Sequence, residues 1–370
     1  MPTQKLTDRV LTTGVTLSDL VHIVNPNDLS QNPAGSSYKA TIQQVMDTIS
    51  GSTIMVLGTG IGSTERCGNQ NFALDDYTTV GGGFCNTSSG YGSVISGGEL
   101  NTTIGLFSYI GGGCCNTTSC GCTIIVGGRQ NSVDGCFNTV SGGYCNTING
   151  DTSIIGGGRE NISFGSCSTI GGGSFNYSEA KNSVVSGGLA NTVSSRYSSV
   201  SGGYCNYNEG ISSTISGGYR NIVLNSATNG FLGGGSFNTI SSYHNTIGGG
   251  CLNTTCGNLN TISGGYCNAT NDNASFIGGG TNNSALGVYA TVSGGYCNTV
   301  TTSGGIVGGS CNVVTHDNTF IVGNGITSSC PNTTYVNCLS IVNLQDGSIG
   351  LPSGSVYYCS TDSNRIYYVP

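Results

Sequence analysis

Few residues of this chain are placed to do covalent chemistry. Its 370 residues include only 17 Asp and Glu, 10 Lys and Arg, and 3 His. No carboxylate pair recurs at a spacing suited to paired acid–base work. Asp75 and Asp76 are adjacent, and on a strand they would face opposite ways. The string Gly58-Thr59-Gly60-Ile61-Gly62 lacks the helix and lysine of a phosphate loop. His22, His244 and His316 stand apart, and no CxxC pair is matched to a second one, as a zinc site would require. Gly-Gly-x-x-Asn also differs from the calcium-binding nonapeptide, which places Asp after its glycines. No catalytic residue, no cofactor and no metal site is expected, and the chain does not read as an enzyme.

What does recur is asparagine. From Asn71 it returns every 15 residues, at Asn86, Asn101, Asn116, Asn131, Asn146, Asn161, Asn176, Asn191, Asn206 and Asn221. The register slips by two and resumes at Asn238, Asn253, Asn268, Asn283 and Asn298, closing one residue short at Asn312. A carboxamide both donates and accepts. Stacked one per turn, such groups can form a hydrogen-bonded ladder.

Such a ladder needs a backbone that returns to the same place every 15 residues. The consensus S-x-[IV]-x-G-G-x-x-N-T-x-x-G-x-x is clear in Ser93–Phe107. Fifteen residues are too few for a helical repeat and enough for one turn of a parallel β-solenoid, with short strands and turns. Six residues before each Asn lies an aliphatic column: Val80, Ile95, Ile110, Ile125, Val140, Ile155, Ile170, Val185, Val200, Ile215, Leu232, Ile247, Ile262, Ile277, Val292 and Ile306. Two residues further upstream is a small residue, usually Ser or Thr, which shares its face. The column between them points the other way. It reads Thr79, Val94, Tyr109, Ile124, Thr139 and onward to Phe231. One face must fill the interior. The other, rich in Thr and aliphatics, is expected to pack on another chain.

Composition narrows the partners. Net charge is −7 and no basic patch is visible, which argues against nucleic acid. No apolar run is long enough for a membrane span, and the N-terminus lacks the apolar core of a secretory signal. The chain is thus expected to be made in a cytoplasm without a signal peptide. Gly numbers 64, and no Pro lies between Pro33 and Pro331, as continuous strand stacking requires. Of 18 Cys, seven precede a ladder Asn: Cys85, Cys115, Cys145, Cys205, Cys267, Cys297 and Cys311. They read as a small, weakly apolar filler, with disulfides and metal binding as alternatives. Several ladder Asn head Asn-x-Ser/Thr sequons, which the repeat itself generates. Glycans would be sterically excluded there if the amides point inward.

Four regions follow. Residues 1–52 form an attachment or capping module, with short extended segments and one amphipathic helix over Lys39–Ser50, where Ile42, Val45, Met46 and Ile49 fall on one face. Residues 53–70 are a transition, 71–325 the repeat solenoid, and 326–370 a C-terminal cap or tip. In that tip Val356–Cys359 and Arg365–Val369 read as a β-hairpin.

The rhythm of Ser213–Asn221 (STISGGYRN) and Thr291–Asn298 (TVSGGYCN) resembles the YadA-like head repeats of trimeric autotransporter adhesins. The resemblance covers about 250 of the 370 residues. It implies a left-handed parallel β-roll and a homotrimer, side by side or intertwined, with apolar columns toward the threefold axis. The chain departs from that family in its longer period, near-constant Gly-Gly and abundant Cys, and in showing no signal, stalk or anchor segment. The segment Leu6–Ile49 is similar to the virion-attachment leaders of phage fibres, and Asn332–Gly354 resembles the junctions near fibre C-termini. The expectation is a structural fibre protein of a phage or virus. It would be a trimeric rod joined through residues 1–52 to virion or filament components, with a host surface glycan or protein as partner. Localisation would be the virion, or extracellular after release. The alternatives are a bacterial cell-surface adhesin or filament subunit and an ice-binding solenoid. The ice-binding alternative is weakened by Tyr109, Phe231 and Phe276, which interrupt the Thr column.

Overall fold

The computed structural model describes residues 20–25, 36–41, 55–66, 70–337, 356–359 and 365–368. The chain divides into two compact units, Met1–Asn208 and Glu209–Pro370. Among the described residues all regular structure is β, and together the units hold about 18 turns of parallel β-solenoid.

In the first unit, Met55–Leu57 pairs antiparallel with Thr64–Arg66, which pairs in parallel with Thr79–Val80. From there two-residue strands stack in parallel at 15-residue intervals, from Val94–Ile95 to Ser199–Val200. A second ladder, just after each Asn, runs from Phe72–Ala73 to Tyr207–Asn208. A third consists of single bridging residues two before each Asn, from Phe84 and Glu99 to Tyr204. Each turn thus touches the next along three lines.

The turn around Asn101 shows how the backbone is satisfied. The N–H groups of Val94, Ser96, Glu99, Thr102 and Ile104 donate to carbonyls of the following turn at 2.7–2.9 Å. Those of Leu100 and Phe107 donate backwards, to Phe84 and Tyr91 at 2.9 and 2.8 Å. These two residues have φ of 55° and 52°. The left-handed conformation flips the N–H toward the preceding turn. It costs roughly 1–2 kcal/mol per non-Gly residue, and here it recurs in almost every turn.

Four columns fill the interior. The small Ser/Thr column and the aliphatic column lie inside as expected, and the aliphatic column is 0–1% exposed from Val80 to Ile306. The Asn column is buried with them. The fourth column, two residues after each Asn, did not emerge from the repeat consensus: Ala73, Ser88, Thr103, Thr118, Val133, Ile148 and their successors are all buried. The aliphatic column is enclosed by its own chain.

The second unit follows the same plan from Thr214–Ile215 and Ile222–Val223. Its last strands lengthen to Gly304–Gly308, Thr319–Val322 and Thr334–Val336, with a bulge between Ile306 and Gly308. The two extra residues before Asn238 enlarge the turn from Leu224 to Gly230. Asn225 and Ser226 are exposed there, while Ala227 tucks fully inside.

Near the N-terminus, Leu20–Asn25 pairs antiparallel with Ser36–Thr41. Lys39, Ala40 and Thr41 therefore lie in a strand whose backbone is paired across to Leu20–His22, and not in the expected helix. The rest of that helix expectation, residues 42–50, lies outside the described residues. Val356–Cys359 pairs antiparallel with Arg365–Tyr368, as the turn pattern suggested, while Val369 lies outside the described residues.

Candidate functional site

The Asn side chains are the most extensively bonded groups in both units. Asn161 is representative. Its Nδ2 donates to Asn146 Oδ1 at 3.1 Å, to the Gly157 carbonyl at 3.0 Å and to the Gly173 carbonyl of the next turn at 2.9 Å. Its Oδ1 accepts the backbone N–H of Asn176 at 3.0 Å. The pattern runs through the first unit from Asn71 to Asn206 and through the second from Asn221 to Asn312. In the second unit it ends where Asn312 Oδ1 accepts the N–H of Ile326 at 3.0 Å.

The second glycine of each Gly-Gly pair makes the ladder fit. Gly98 has φ +96°, and a Cβ there would sit 2.2 Å from the Gly113 carbonyl and 2.6 Å from Asn101 Nδ2. The glycine thus answers both to a backbone conformation and to the room the amide occupies.

Where the fourth interior column carries a hydroxyl, partners are mixed. Ser88, Ser93 and Thr103 bond one another at 2.7–3.0 Å. Thr118, Thr255 and Thr270 have buried hydroxyls without a partner. Other turns hold Val or Ile in this slot, at Val133, Ile148 and Val193. Thr255→Val should therefore raise the urea midpoint, with a gain of about 1 kcal/mol from removing one unpaired buried hydroxyl. A lowered midpoint would mean that hydroxyl has a partner.

The outer surface sorts by charge. The outward column of the first strand (Thr79, Val94, Tyr109, Ile124 and successors) and that of the second (Phe72, Thr87, Thr102, Thr117 and successors) contain no charged residue in either unit. In the first unit every charge from Asp75 to Arg196 falls at a bend. Glu99, Arg129, Arg159 and Glu160 lie just before an Asn; Asp75, Asp76, Asp134, Asp151, Glu179, Lys181 and Arg196 lie three to five residues after one. Asp75 and Asp76 are therefore in a turn, not a strand. Asp76 accepts the N–H of Ile61, and Asp75 accepts the N–H of Asp76 at 2.8 Å.

The cysteines before the ladder Asn occupy the left-handed position, with φ of 53–59° from Cys85 to Cys311. Their side chains are half-buried or exposed, so they do not fill the interior. Cys120 and Cys136, in successive turns, form a disulfide with Cα atoms 4.9 Å apart. Neither belongs to the pre-Asn slot. Their separation of 16 does not single them out, since Cys251 and Cys267 are also 16 apart and are free.

Two small polar groupings lie near the end of the second unit. His316 Nδ1 is 3.1 Å from Ser328 Oγ, but the nearby Asp317 carboxylate is held by Ser303, at 3.2 Å to its N–H and 2.8 Å to its hydroxyl. The Cys330 thiol lies 3.4 Å from Thr333 Oγ1 and 3.1 Å from Tyr335 Oη, and these hydrogen bonds lower its pKa. Among the described residues no three His, Cys, Asp or Glu side chains gather as a metal site. No described helix is long and apolar enough to cross a membrane.

No model of a known protein family matches this chain, and no curated protein matches its sequence.

Proposed function

We propose that this chain is a structural fibre protein of a phage or virus, that three copies pack side by side through their uncharged strand faces, and that the assembly works by display, without catalysis. The observation that carries the proposal is the pair of outward strand columns. They recur at regular intervals, are rich in Thr, Ile, Val, Tyr and Phe, and are free of charge along both units. A solvated strand face would normally alternate toward charged residues, and an uncharged β face of this extent favours burial against a matching surface. Tyr109, Ile124, Ile154, Val184, Phe231 and Phe276 are exposed in a single chain, and a second copy would cover them. The rhythm shared with trimeric autotransporter heads supports three copies, and the likeness of Leu6–Ile49 to virion-attachment leaders supports a phage or viral origin.

The test is the native mass by light scattering under reducing conditions. Three times 37.4 kDa is expected. A mass of one chain would sink the trimer and favour a self-sufficient coil.

A further inference from the structure

We infer that the bend carrying Arg129, Tyr144, Arg159 and Phe175 is a binding strip for an acidic polysaccharide, whose carboxylates are received by the two guanidinium groups that Tyr144 holds in place. This deepens the display function proposed above, placing recognition on the flank of the coil. It requires only the surface of a single chain.

The four residues come from four successive turns, Tyr144 being paired through backbone bridges with Arg129 on one side and Arg159 on the other. Both guanidinium groups lie over the Tyr144 ring, Arg129 Cζ at 6.0 Å and Arg159 Cζ at 5.8 Å from its centroid. Arg159 also reaches Phe175, at 5.5 Å. Each contact is a cation–π pair, which holds a long side chain in one place before any ligand arrives. The strip is nonetheless open, with Tyr144 38% and Phe175 46% exposed. Arg159 gives its Nε to Glu160 at 2.9 Å, and its side chain is 59% exposed. A planar guanidinium offers a carboxylate two parallel donors, which an ammonium cannot.

Spacing and charge density select the ligand. Arg129 and Arg159 are two turns apart, roughly 9.6 Å at the ~4.8 Å strand spacing, a distance within reach of a disaccharide. Glu160 beside Arg159 and Glu99 two turns before Arg129 keep the local net charge low. A densely charged polyphosphate or nucleic acid would gain little here, whereas a polymer with one carboxylate per sugar or per disaccharide matches two isolated guanidiniums. In the second unit a single guanidinium meets two rings, Arg220 Cζ lying 5.3 Å from Tyr219 and 5.9 Å from Phe237.

The test uses the full chain and polygalacturonate, a uronic-acid polymer, with dextran and polyphosphate as comparison ligands. Binding is followed by a fluorescence or retardation assay, and native mass is measured on the same preparation. Polygalacturonate should bind, dextran should not, and polyphosphate should bind at least tenfold more weakly. The double variant R129Q/R159Q and the single variant Tyr144→Ser should each lose tenfold or more. Other turns carry Cys, Ser and Leu at this bend, so these variants should keep the fold, and unchanged circular dichroism would show it. Arg129→Lys, which keeps the charge but not the fork, should also weaken binding. No binding of polygalacturonate, equal binding of polyphosphate, or variants that bind as the parent would each overturn the inference. A trimer that fails to bind polygalacturonate overturns this inference alone. A monomer that binds overturns only the trimer.

Discussion

Replacing Asn161 by leucine is expected to open several neighbouring turns of the first unit. The side chains are similar in size, so the change is almost purely one of hydrogen bonding. It leaves the backbone N–H of Asn176 and the carbonyls of Gly157 and Gly173 without the partners that Asn161 now supplies. The N–H of Asn176 is sealed, with Asn146, Asn161 and Asn176 all 0% exposed, while the bonds to the two glycine carbonyls are partly buried. The Gly173 carbonyl keeps the N–H of Arg159 at 2.9 Å, so two groups are orphaned, and at 1–3 kcal/mol each the cost is on the order of 2–6 kcal/mol. A solenoid is stabilised turn by turn through nearest-neighbour contacts, so the loss should stay local. Hydrogen exchange should accelerate most in the residues between Asn146 and Asn176, and the urea midpoint of the first unit should fall. Exchange that is unchanged across these turns would contradict the load assigned to the amide. Asn161→Asp makes a sharper comparison. It keeps an acceptor for Asn176 but turns a carboxylate toward Asn146 Oδ1 and two carbonyls, and should be at least as damaging.

The second large effect concerns where the chain can fold. Asn86, Asn101, Asn116, Asn161, Asn176, Asn253 and Asn268 all head Asn-x-Ser/Thr sequons, and all are 0–1% exposed. Their Nδ2 atoms, which would carry a glycan, are those bonded along the ladder. An N-glycosylating secretory pathway modifies the chain as it emerges, before these amides are buried. A glycan on any of them leaves no room for the next turn, so the secreted chain should accumulate glycosylated and without its solenoid. The remedy is specific. The hydroxyl of each sequon sits in the fourth interior column, where other turns hold Val, Ile or Ala. Thr118→Val, Thr255→Val and Thr270→Val, with Ser88, Thr103, Ser163 and Ser178 changed to Ala, remove the sequons and keep the ladder. This variant should fold in the same pathway, as read by circular dichroism and glycosidase digestion. The exposed sequon residues Asn273, Asn282 and Asn332 should tolerate glycans. A parent protein glycosylated at Asn161 yet folded would contradict the inward placement of its amide.

The sequence discloses the two positions where the solenoid admits one chemistry only. The Asn amide and the aliphatic group six residues before it recur because no other side chain meets the same constraint in every turn. The fourth interior column was harder to see, because Ser88, Val133, Ile148, Asn208 and Ala285 share a size limit and no chemical type. Its one sign is alternation, since every second residue after the Asn avoids charge. The pre-Asn slot misled for a different reason. Cys85 and Leu100 look like interior residues, but their left-handed φ is set by the backbone's need to turn an N–H backwards, and the side chain is carried outward. At Lys39–Thr41 strand pairing with Leu20–His22 prevailed over a helical pattern that rested mainly on residues 42–49. The polysaccharide strip was invisible from spacing alone, since Arg129 and Arg159 become neighbours of one ring only when the turns are stacked.

The ladder tolerates a change of chain length between its members. Asn238 bonds Asn221 at 3.0 Å across 17 residues, and Asn312 bonds Asn298 at 3.1 Å across 14, as closely as partners 15 apart. Every turn ends in the surface that the next one begins with. Excising or duplicating a 45-nucleotide stretch of the gene would therefore leave each amide with an equivalent neighbour. Near-identical repeats are the substrate on which slipped replication and unequal recombination act. Length in such a protein is an inherited variable, adjustable by whole turns without passing through an unfolded intermediate sequence. Related genes should differ in turn number more readily than in the residues that define a turn.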